Sequence, residues 1–384
     1  MTIHSPHGGD IYRNRIQYDF SVNLNPLGMP AGVVRVLRSG ARDWGCYPDP
    51  ECRGLVEKLA AVHQVPPDYV LCGNGAADLI FQTVQAAGPS RALVPVPTFS
   101  EYGRALEAAG CRIQYAGHGG MSPGALVRQI RDSSADWDML FFCNPNNPTG
   151  TLTPVRELVP LLSLCRSRKI RVVVDECFCG LVEHPREASV LGLVREYENL
   201  VVVRAFTKTF AMAGLRLGYV VTRDRDLLEK MRALRQPWSV SVPAQQAGEA
   251  ALLETRYLKK SRRLIARERV WLARQLKALG FGVYPSAANY LLFRDLSWEG
   301  TPARGQNRDR QTGRPGSSAS GSQVGNNPGS QGTLWEKLVA KGILIRDCAN
   351  FRGLGPGYYR VCISTRKRNR ILVKAIKAVL NERK

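Results

Sequence analysis

The sequence predicts an α/β protein with a mostly parallel sheet, and two observations support this. Short apolar runs, rich in Val, Ile and Leu, alternate with helix-like segments between residues 69 and 221. Such alternation is typical of parallel strands covered by helices on both faces. The length of 384 residues also allows for two or three domains. The apolar runs are residues 69–72, 91–94, 139–143, 170–174, 200–203 and 217–221.

A smaller α+β region is predicted after the alternating part. A long charged helical region extends from about residue 243 to 278, and a helical segment follows at residues 334–341. The first 45 residues have no apolar core of their own, so we expect them to pack on this smaller domain. The strand-like segments are residues 282–284, 289–293, 343–346 and 358–363. The predicted division is an N-terminal segment 1–45, a large domain 46–260 and a small domain 261–384.

Residues 300–333 differ from the rest of the small domain in composition. They are rich in Gly, Ser, Asn, Arg and Gln and have no apolar periodicity. A segment of this kind cannot bury enough apolar surface to offset the entropy lost on ordering. We therefore expect a disordered surface insertion here, and the sequence gives it no function.

The overall composition predicts a cytoplasmic globular protein. Hydrophobic residues make up 44% of the chain and charged residues 22%, which is ordinary for such proteins. No apolar run reaches the length of a membrane span, about 18 residues. The N-terminus has no apolar core that would indicate a signal peptide. We expect no membrane partner.

The net charge of +22 raises the hypothesis of a nucleic-acid partner. The basic residues are spread widely, and the densest runs lie in helix-like segments with few aromatic residues. Solvated helix faces explain this pattern better than a nucleic-acid surface, and anionic small molecules would use the same charge. We therefore expect no nucleic-acid partner.

The ten cysteines do not form a metal-binding pattern. No Cys-x-x-Cys pair occurs, and the single Cys-x-Cys, Cys177 and Cys179, lacks further ligands at metal-site spacing. We expect reduced structural thiols and no metal site.

Three polar signals follow strands of the predicted sheet. Asn147 lies in "CNPNNPTG", Asp175 begins "DECF", and Lys208 follows the run at residues 200–203. Taken separately, these signals would be interpreted as a turn, a helix cap and a solvated lysine. Ligands of open α/β sheets bind beyond the carboxyl ends of the strands, where all three would meet.

This combination fits pyridoxal 5′-phosphate. Lys208 would bind the cofactor covalently through a readily deprotonated amine, and Asp175 would pair with the pyridine nitrogen. Asn147 suits the ring hydroxyl, and Tyr102 is the candidate aromatic face. The phosphate requires N–H donors at a helix start and a cation. The candidates for that role are Gly75, Ala76, Ala77, Thr207 and Arg216.

The motifs "NPNNPTG", "DECF" and "TKTFAMAGLRLGY" resemble the class I/II aminotransferase superfamily in order and spacing. This resemblance implies the fold type I of pyridoxal-phosphate-dependent transferases, with a mostly parallel, seven-stranded large sheet and a smaller α+β domain. It also implies a homodimer with shared active sites, in which Tyr47 of "YPDP" reaches the cofactor phosphate of the neighbouring subunit.

Further stretches, among them "HGGDIY", "DFSVNLNPLGMP" and "LIRDCANFRGLGPGYYRVCI", resemble the threonine-phosphate decarboxylases of cobalamin biosynthesis, which are closely related to histidinol-phosphate aminotransferases. The N-terminal His-Gly-Gly is the most discriminating part, because the aminotransferases usually lack it. The substrate contacts that this resemblance implies are His7, Gly8, Asn23, Asn147, Arg346 and Arg360.

The implied reaction is decarboxylation of L-threonine O-3-phosphate to (R)-1-aminopropan-2-ol O-2-phosphate. A histidinol-phosphate-type aminotransferase is the alternative. A third hypothesis is a cofactor-binding regulator that acts on nucleic acid, which is disfavoured because the sequence shows no helix-turn-helix pattern. Phe178 stands where many aminotransferases have tyrosine, which favours the decarboxylase. Ala205 replaces a usual hydroxyl residue of the phosphate cup, so we expect somewhat weaker cofactor binding. Sequence does not separate phosphothreonine from phosphoserine.

Overall fold

The computed structural model describes residues 7–117, 122–297 and 332–382. Its strands are β1 (Tyr18–Asp19), β2 (Val70–Gly73), β3 (Arg91–Pro95), β4 (Arg112–Ala116), β5 (Met139–Cys143), β6 (Arg171–Asp175), β7 (Leu200–Ala205), β8 (Gly218–Thr222), β9 (Phe281–Val283), β10 (Tyr290–Asp295), β11 (Ile343–Leu344), β12 (Arg346–Asp347) and β13 (Tyr358–Cys362).

The helices alternate with these strands in the first two thirds of the chain. They are α1 (Ala31–Ser39), α2 (Arg53–His63), α3 (Ala76–Ala87), α4 (Glu101–Ala108), α5 (Pro123–Asp132), α6 (Val155–Ser167), α7 (Pro185–Ala188), α8 (Phe206–Thr209), α9 (Arg225–Leu234), α10 (Val242–Leu252), α11 (Thr255–Ala278), α12 (Leu334–Ala340) and α13 (Arg366–Asn381). Short 3₁₀ turns lie at Gly40–Gly45, Pro67–Tyr69, Cys179–Leu181, Val190–Leu193 and Ala213–Leu215.

The large sheet has seven strands in the order β2-β8-β7-β6-β5-β3-β4. Strands β3 to β7 pair in parallel, and β8 runs antiparallel to both of its neighbours. The prediction of a mostly parallel sheet is therefore confirmed, and each predicted strand lies within two residues of an observed one. Strand β4 was not predicted, because it is an edge strand whose Arg112 and Gln114 are exposed.

Both faces of the large sheet are buried, which explains its runs of β-branched residues. In β7, Val202 packs into one apolar cluster while Val201 and Val203 pack into another on the opposite face. Every side chain from Leu200 to Val203 is fully buried. The carboxyl ends of the parallel strands consequently form one edge, where the loops after them meet.

A second, antiparallel sheet of four strands lies in the order β12-β13-β10-β9. The predicted strand at 343–346 is in fact divided between two sheets. Ile343 and Leu344 pair in parallel with β1, whereas Arg346 and Asp347 pair antiparallel with β13. The chain thus crosses from one sheet to the other at Ile345, and this turn points Arg346 toward the site described below.

The N-terminal segment contacts both apolar cores. Phe20 belongs to the core of the smaller sheet, whereas Val33 of α1 belongs to the large core and α1 packs on α10. Its assignment to the small domain, like the boundaries at 45 and 260, therefore stays a prediction. The predicted insertion at 300–333 lies outside the described residues except for its last two. Thr333 caps α12 by a capping box with Glu336.

Helix α11 contacts both cores and so links the two sheets. Leu272 and Leu276 pack into the core of the smaller sheet, while Tyr257 and Leu258 pack against the large core. Among the described residues, no helix is long and apolar enough to cross a membrane.

Candidate active site

A cavity of about 260 Å³ lies where the carboxyl edge of the large sheet meets the smaller sheet. It collects most of the residues that sequence reasoning selected. The predicted residues in its wall are His7, Gly8, Asn23, Ala76, Ala77, Asn147, Asp175, Thr207, Lys208, Arg216, Arg346 and Arg360. Gly75, Tyr102 and Tyr47 lie outside the wall.

Lys208 lies on α8, the single helical turn that directly follows β7. Its backbone carbonyl accepts a hydrogen bond from the Asn25 N–H at 3.1 Å, which ties this turn to the N-terminal segment. Burial and the positive charges of Arg360 and Arg216 lower the pKa of Lys208 from 10.5 to about 8. The amine is therefore far more readily deprotonated than that of a solvated lysine.

Asp175 ends β6 and is only 5% exposed. The Tyr102 hydroxyl donates a hydrogen bond to its Oδ2 at 2.6 Å, and the Cys177 N–H donates to its Oδ1 at 2.9 Å. The carboxylate is thus oriented by two donors and faces the cavity.

The structure places Tyr102, the predicted aromatic face, outside the cavity wall. Tyr102 is fully buried, stacks on Phe141 at 4.8 Å between ring centroids, and lies behind Asp175. Phe99 lies in the cavity wall instead, with its ring edge-on to that of Tyr102 at 5.7 Å. Phe99 precedes α4 and lies close to the end of β3. This position, just beyond the end of a strand, is the sequence signal that would have indicated Phe99 as a wall residue.

The start of α3 and Arg216 form a cationic corner of the cavity. Gly75 is the N-cap of α3 and has φ +91°, a conformation suited to glycine. A Cβ atom at Gly75 would lie 2.5 Å from Nη2 of Arg216, so the absence of a side chain lets the guanidinium approach the helix start. Thr207 and Ala76 also line this corner. The corner suits a phosphate, because N–H groups at a helix start and a guanidinium both donate to anions.

Arg360 is a buried cation on β13, and no described residue forms an ion pair with it. It donates a hydrogen bond from Nη1 to Oδ1 of Asn147, and its Nη2 donates to the Ser21 carbonyl at 2.9 Å. Its Nε is buried and has no hydrogen-bond partner among the described residues. Burial lowers its pKa. An anion in the cavity would complete this arrangement.

Arg346 lies directly opposite Arg360 on the neighbouring strand β12. Its Nη2 donates to Oδ1 of Asn350 at 2.7 Å, and its guanidinium lies 5.2 Å from the centroid of the Phe351 ring. Burial lowers its pKa, and the charge of Arg360 adds to this. Like charges at directly opposite positions of a sheet are unfavourable, so this pair also favours bound anions.

The N-terminal residues form one wall of the cavity. The Nε2 atom of His7 lies 3.3 Å from Oε1 of Glu101, and the hydrogen bond from His7 lowers the pKa of Glu101. Gly9 donates its N–H to Oγ of Ser21 at 2.7 Å. At Gly8, a Cβ atom would meet the Ser21 carbonyl oxygen at 2.7 Å. The glycines thus allow the backbone to lie flat against residue 21.

Asn23 contributes a second polar atom without a partner. It is 2% exposed, and its buried Oδ1 has no hydrogen-bond partner among the described residues. Its backbone carbonyl accepts a hydrogen bond from Nδ2 of Asn289 at 2.9 Å, which fixes the segment. An unsatisfied buried acceptor in a cavity wall suggests a donor on the bound molecule.

Sequence reasoning missed several other wall residues, most of them apolar or with short polar side chains. Two of them, Phe178 and Ala205, are the departures from the superfamily pattern described above. The Phe178 ring packs edge-on against that of Tyr290, with 5.0 Å between the ring centroids. Burial raises the pKa of the Cys143 and Cys177 thiols, so both stay protonated. The remaining wall residues are Ser21, Val22, Phe99, Ser100, Cys143, Cys177 and Phe351.

Tyr47 lies away from this cavity. Its side chain is 79% exposed and its ring centroid is 4.6 Å from that of Trp238. Its predicted role toward a neighbouring subunit stays a prediction. All ten cysteines lie in the described part of the chain and are unpaired, and all but Cys46 are buried. The described residues hold no cluster of three or more His, Cys, Asp or Glu side chains that could bind a metal ion.

Comparison with known proteins shows what this arrangement resembles. Residues 15–376 match the protein family described as aminotransferase class I and II. The chain is 34% identical over 364 residues to the threonine-phosphate decarboxylase of Salmonella typhimurium, which covers 94% of this chain and 91% of that protein. It is 31% identical over 362 residues to a histidinol-phosphate aminotransferase of Symbiobacterium thermophilum, with 94% and 90% covered.

Solved structures agree with the fold. A histidinol-phosphate aminotransferase from Clostridium acetobutylicum is similar with a TM-score of 0.79 at 27% identity, covering 95% of this chain and 99% of that one. The L-threonine-O-3-phosphate decarboxylase from Porphyromonas gingivalis gives a TM-score of 0.76 at 24% identity, with 94% and 99% covered. The predicted fold type I of pyridoxal-phosphate-dependent transferases is confirmed.

Proposed function

Because this chain belongs to the aminotransferase class I and II family, we propose that it is a pyridoxal-phosphate-dependent decarboxylase. Its proposed substrate is L-threonine O-3-phosphate, and its product is (R)-1-aminopropan-2-ol O-2-phosphate. Two relatives named as decarboxylases of this kind support the choice, one from Salmonella typhimurium and one, named as putative, from Caldanaerobacter subterraneus.

Members of this family use pyridoxal 5′-phosphate, and the cavity residues fit that cofactor. Lys208 supplies an amine with a lowered pKa, and Asp175 supplies a carboxylate held by two donors. The corner at Gly75 and Arg216 suits the phosphate, and Phe99 suits the face of the ring. When bound, the cofactor supplies an electron sink for the bond that breaks at Cα.

The two arginines support a substrate with two anionic groups. Arg346 and Arg360 lie opposite each other in register, and both guanidinium groups line the cavity. An O-phosphorylated amino acid carries a phosphate and a carboxylate, and each guanidinium can bind one of them in a bidentate manner. By holding both ends of the substrate, the pair would determine which bond at Cα is aligned for cleavage.

The observation that carries the choice of decarboxylation is the position of His7 and Gly8 in the cavity wall. These residues belong to the His-Gly-Gly motif, the part of the sequence that best separates the two families by resemblance. His7 would donate to an anionic group of the substrate while Glu101 holds its ring.

A histidinol-phosphate-type aminotransferase is the second candidate. Several relatives carry that name, at 31% identity in Symbiobacterium thermophilum and 30% in Methanosarcina mazei. Both candidates take a phosphorylated substrate with an amino group, so the two-arginine arrangement suits either one. The difference lies in whether CO2 or a proton leaves from Cα.

Product analysis of the purified holoenzyme tests the proposal. We expect CO2 release from L-threonine O-3-phosphate without any amino acceptor, and L-serine O-phosphate tested in parallel measures the effect of the methyl group. The His7→Ala variant should lose much of this activity, whereas His184→Ala, an exposed histidine outside the cavity wall, should retain it. Turnover that depends strictly on 2-oxoglutarate would instead establish the aminotransferase.

A further inference from the structure

A second cavity, of about 770 Å³, lies beside the first one. It is bounded by the end of α2, the loop that follows β6, the turn α8 and the start of α11. Its size falls in the range of small-molecule sites, roughly 300–1,000 Å³. Ala205 lines both cavities, so the two are separated by the end of β7 and the turn that carries Lys208.

One wall of the second cavity is a buried polar network. Glu176 is fully buried and accepts two hydrogen bonds from Arg204, at 3.0 and 2.6 Å, and one from Ser189 at 2.8 Å. Nε2 of His63 lies 2.8 Å from the Tyr219 hydroxyl. Burial, helped by the charge of Arg204, lowers the pKa of His63 to about 3, so this ring is neutral. The single carboxylate is therefore already neutralised by Arg204.

The other charged residues of this cavity are cations without acidic partners. Arg262 is half-buried and donates from Nε to the Gly180 carbonyl at 3.0 Å, but forms no ion pair with a described residue. Lys259 and Arg186 likewise form no ion pair with a described residue. The charge of Arg204 adds to burial in lowering the pKa of Arg262. The cavity thus has three cations that form no ion pair within the described part of the chain, and an excess of this size favours an anion with two negative charges.

Aromatic rings form much of the remaining wall. The rings of Phe206 and Phe210 lie 5.6 Å apart and nearly parallel, and Tyr219 packs on Phe206 at 5.8 Å. Leu258 and Val62 extend this apolar surface. A planar ring would find both stacking partners and apolar contact here.

We propose that the second cavity binds a small aromatic phosphate monoester, with the phosphate on Arg262, Lys259 and Arg186 and the ring on the Phe206–Phe210 wall. Charge and shape agree on this class, because the cations favour a dianion and the aromatic wall favours a flat apolar body. The proposal goes beyond the proposed function and does not depend on which reaction the first cavity performs.

Occupancy of this site acts on Lys208 through the turn α8. Phe206 and Thr209 of this turn face the second cavity, whereas Thr207 and Lys208 face the first. A ligand that packs on Phe206 therefore contacts the reverse side of the turn that positions the amine. Coupling of this kind is reciprocal, so ligands of the first cavity alter affinity at the second.

Calorimetric titration of the holoenzyme with phenyl phosphate tests the proposal. We expect one site per chain, bound more tightly than either inorganic phosphate or benzyl alcohol, which carry only the charge or only the ring. Arg262→Gln should weaken binding tenfold or more. Arg263→Gln is the matched control, since it removes the same charge from an exposed neighbour that lines neither cavity, and it should leave affinity unchanged. The visible absorption band of the bound cofactor should shift on binding.

Three results would overturn the proposal. The first is equal binding of phenyl phosphate to Arg262→Gln and Arg263→Gln, and the second is failure to bind the wild-type holoenzyme. The third is loss of binding in Arg346→Gln alone, which would assign the ligand to the first cavity. Lys259→Gln, at an exposed position, provides a second variant should Arg262→Gln unfold. It should weaken binding in the same direction.

Discussion

Lys208 owes its chemistry to the residues around it. A solvated lysine would be almost fully protonated near neutral pH, whereas burial and two neighbouring guanidinium groups lower the pKa of this one to about 8. Of these groups, Arg360 comes from the smaller sheet and Arg216 from the loop after α8. The reactivity of the amine thus depends on contacts between distant parts of the chain.

The pH dependence of cofactor incorporation tests this account. Only the neutral amine reacts, so the rate at which the apoprotein takes up pyridoxal 5′-phosphate should rise with pH and reach its midpoint near pH 8. Arg360→Gln removes a positive charge, which raises the pKa of Lys208 and moves the midpoint to higher pH. Arg346→Gln, on the neighbouring strand, should move it less. Stopped-flow absorbance measures the rate, and identical midpoints in all three proteins would show that Arg360 does not lower this pKa.

The aromatic face illustrates where residue-level prediction reached its limit. The sequence-based candidate was Tyr102, but two aromatic residues lie after β3, three positions apart, in "PTFSEY". Tyr102 lies within α4 and is directed to the buried side, where it holds Asp175, while Phe99 in the preceding loop faces the cavity. To choose between them, one must know the direction in which the chain enters α4. The local sequence does not determine that direction.

The strands show why some elements are easier to predict than others. Strands β5, β6 and β7 are buried on both faces, so their apolar runs are unbroken and their polar endings, Asn147, Asp175 and Lys208, stand out. Strand β4 alternates exposed and half-buried residues at the sheet edge, so it has no continuous apolar run and was not predicted. The division of 343–346 between two sheets depends on pairing partners more than 300 residues earlier and a dozen later. No local pattern contains that information.

The two ends of α3 offer a matched test of the phosphate corner. Gly75 is the N-cap with φ +91° and would place a Cβ atom 2.5 Å from Arg216, while Gly88 is the C-cap with φ +57° and open space around it. Alanine at either position is strained, so each variant should lower the free energy of unfolding, by about 1–2 kcal/mol at the left-handed Gly88 and by about 1–3 kcal/mol at Gly75, whose ψ of 166° makes its conformation almost exclusive to glycine. Only Gly75→Ala should also weaken cofactor affinity, because only there is the guanidinium displaced.

Urea denaturation of the apoproteins and absorbance titration with the cofactor measure these two quantities. If Gly88→Ala weakened the cofactor as much as Gly75→Ala, the loss would come from a general loosening of α3, and the phosphate would bind elsewhere.

Considered as a whole, the chain builds its site from segments that are far apart in sequence. The large sheet supplies Lys208 and Asp175, the smaller sheet supplies Arg346 and Arg360, and the N-terminal segment supplies His7. The motifs identified each of these groups but not their distances, because pairing across the molecule sets those. We propose that a second subunit adds to the same site, since the exposed rings of Tyr47, Trp238 and Trp44 suggest an interaction surface.

Subunit hybrids test whether Tyr47 acts across that surface. In a mixed dimer of Lys208→Ala and Tyr47→Ala chains, the Tyr47→Ala chain keeps its own Lys208 and receives an intact Tyr47 from its partner. One of the two sites is then complete, so activity should recover to about half that of the wild-type dimer, well above either variant alone.

The matched control pairs Lys208→Ala with Asp175→Ala. Both residues act within one chain, so neither site is complete and no activity should return. No recovery in the Tyr47 hybrid would show that Tyr47 serves its own subunit, and wild-type activity of the Tyr47→Ala dimer alone would show that it serves neither site. Differently tagged chains, purified as the mixed species after co-expression, allow the measurement.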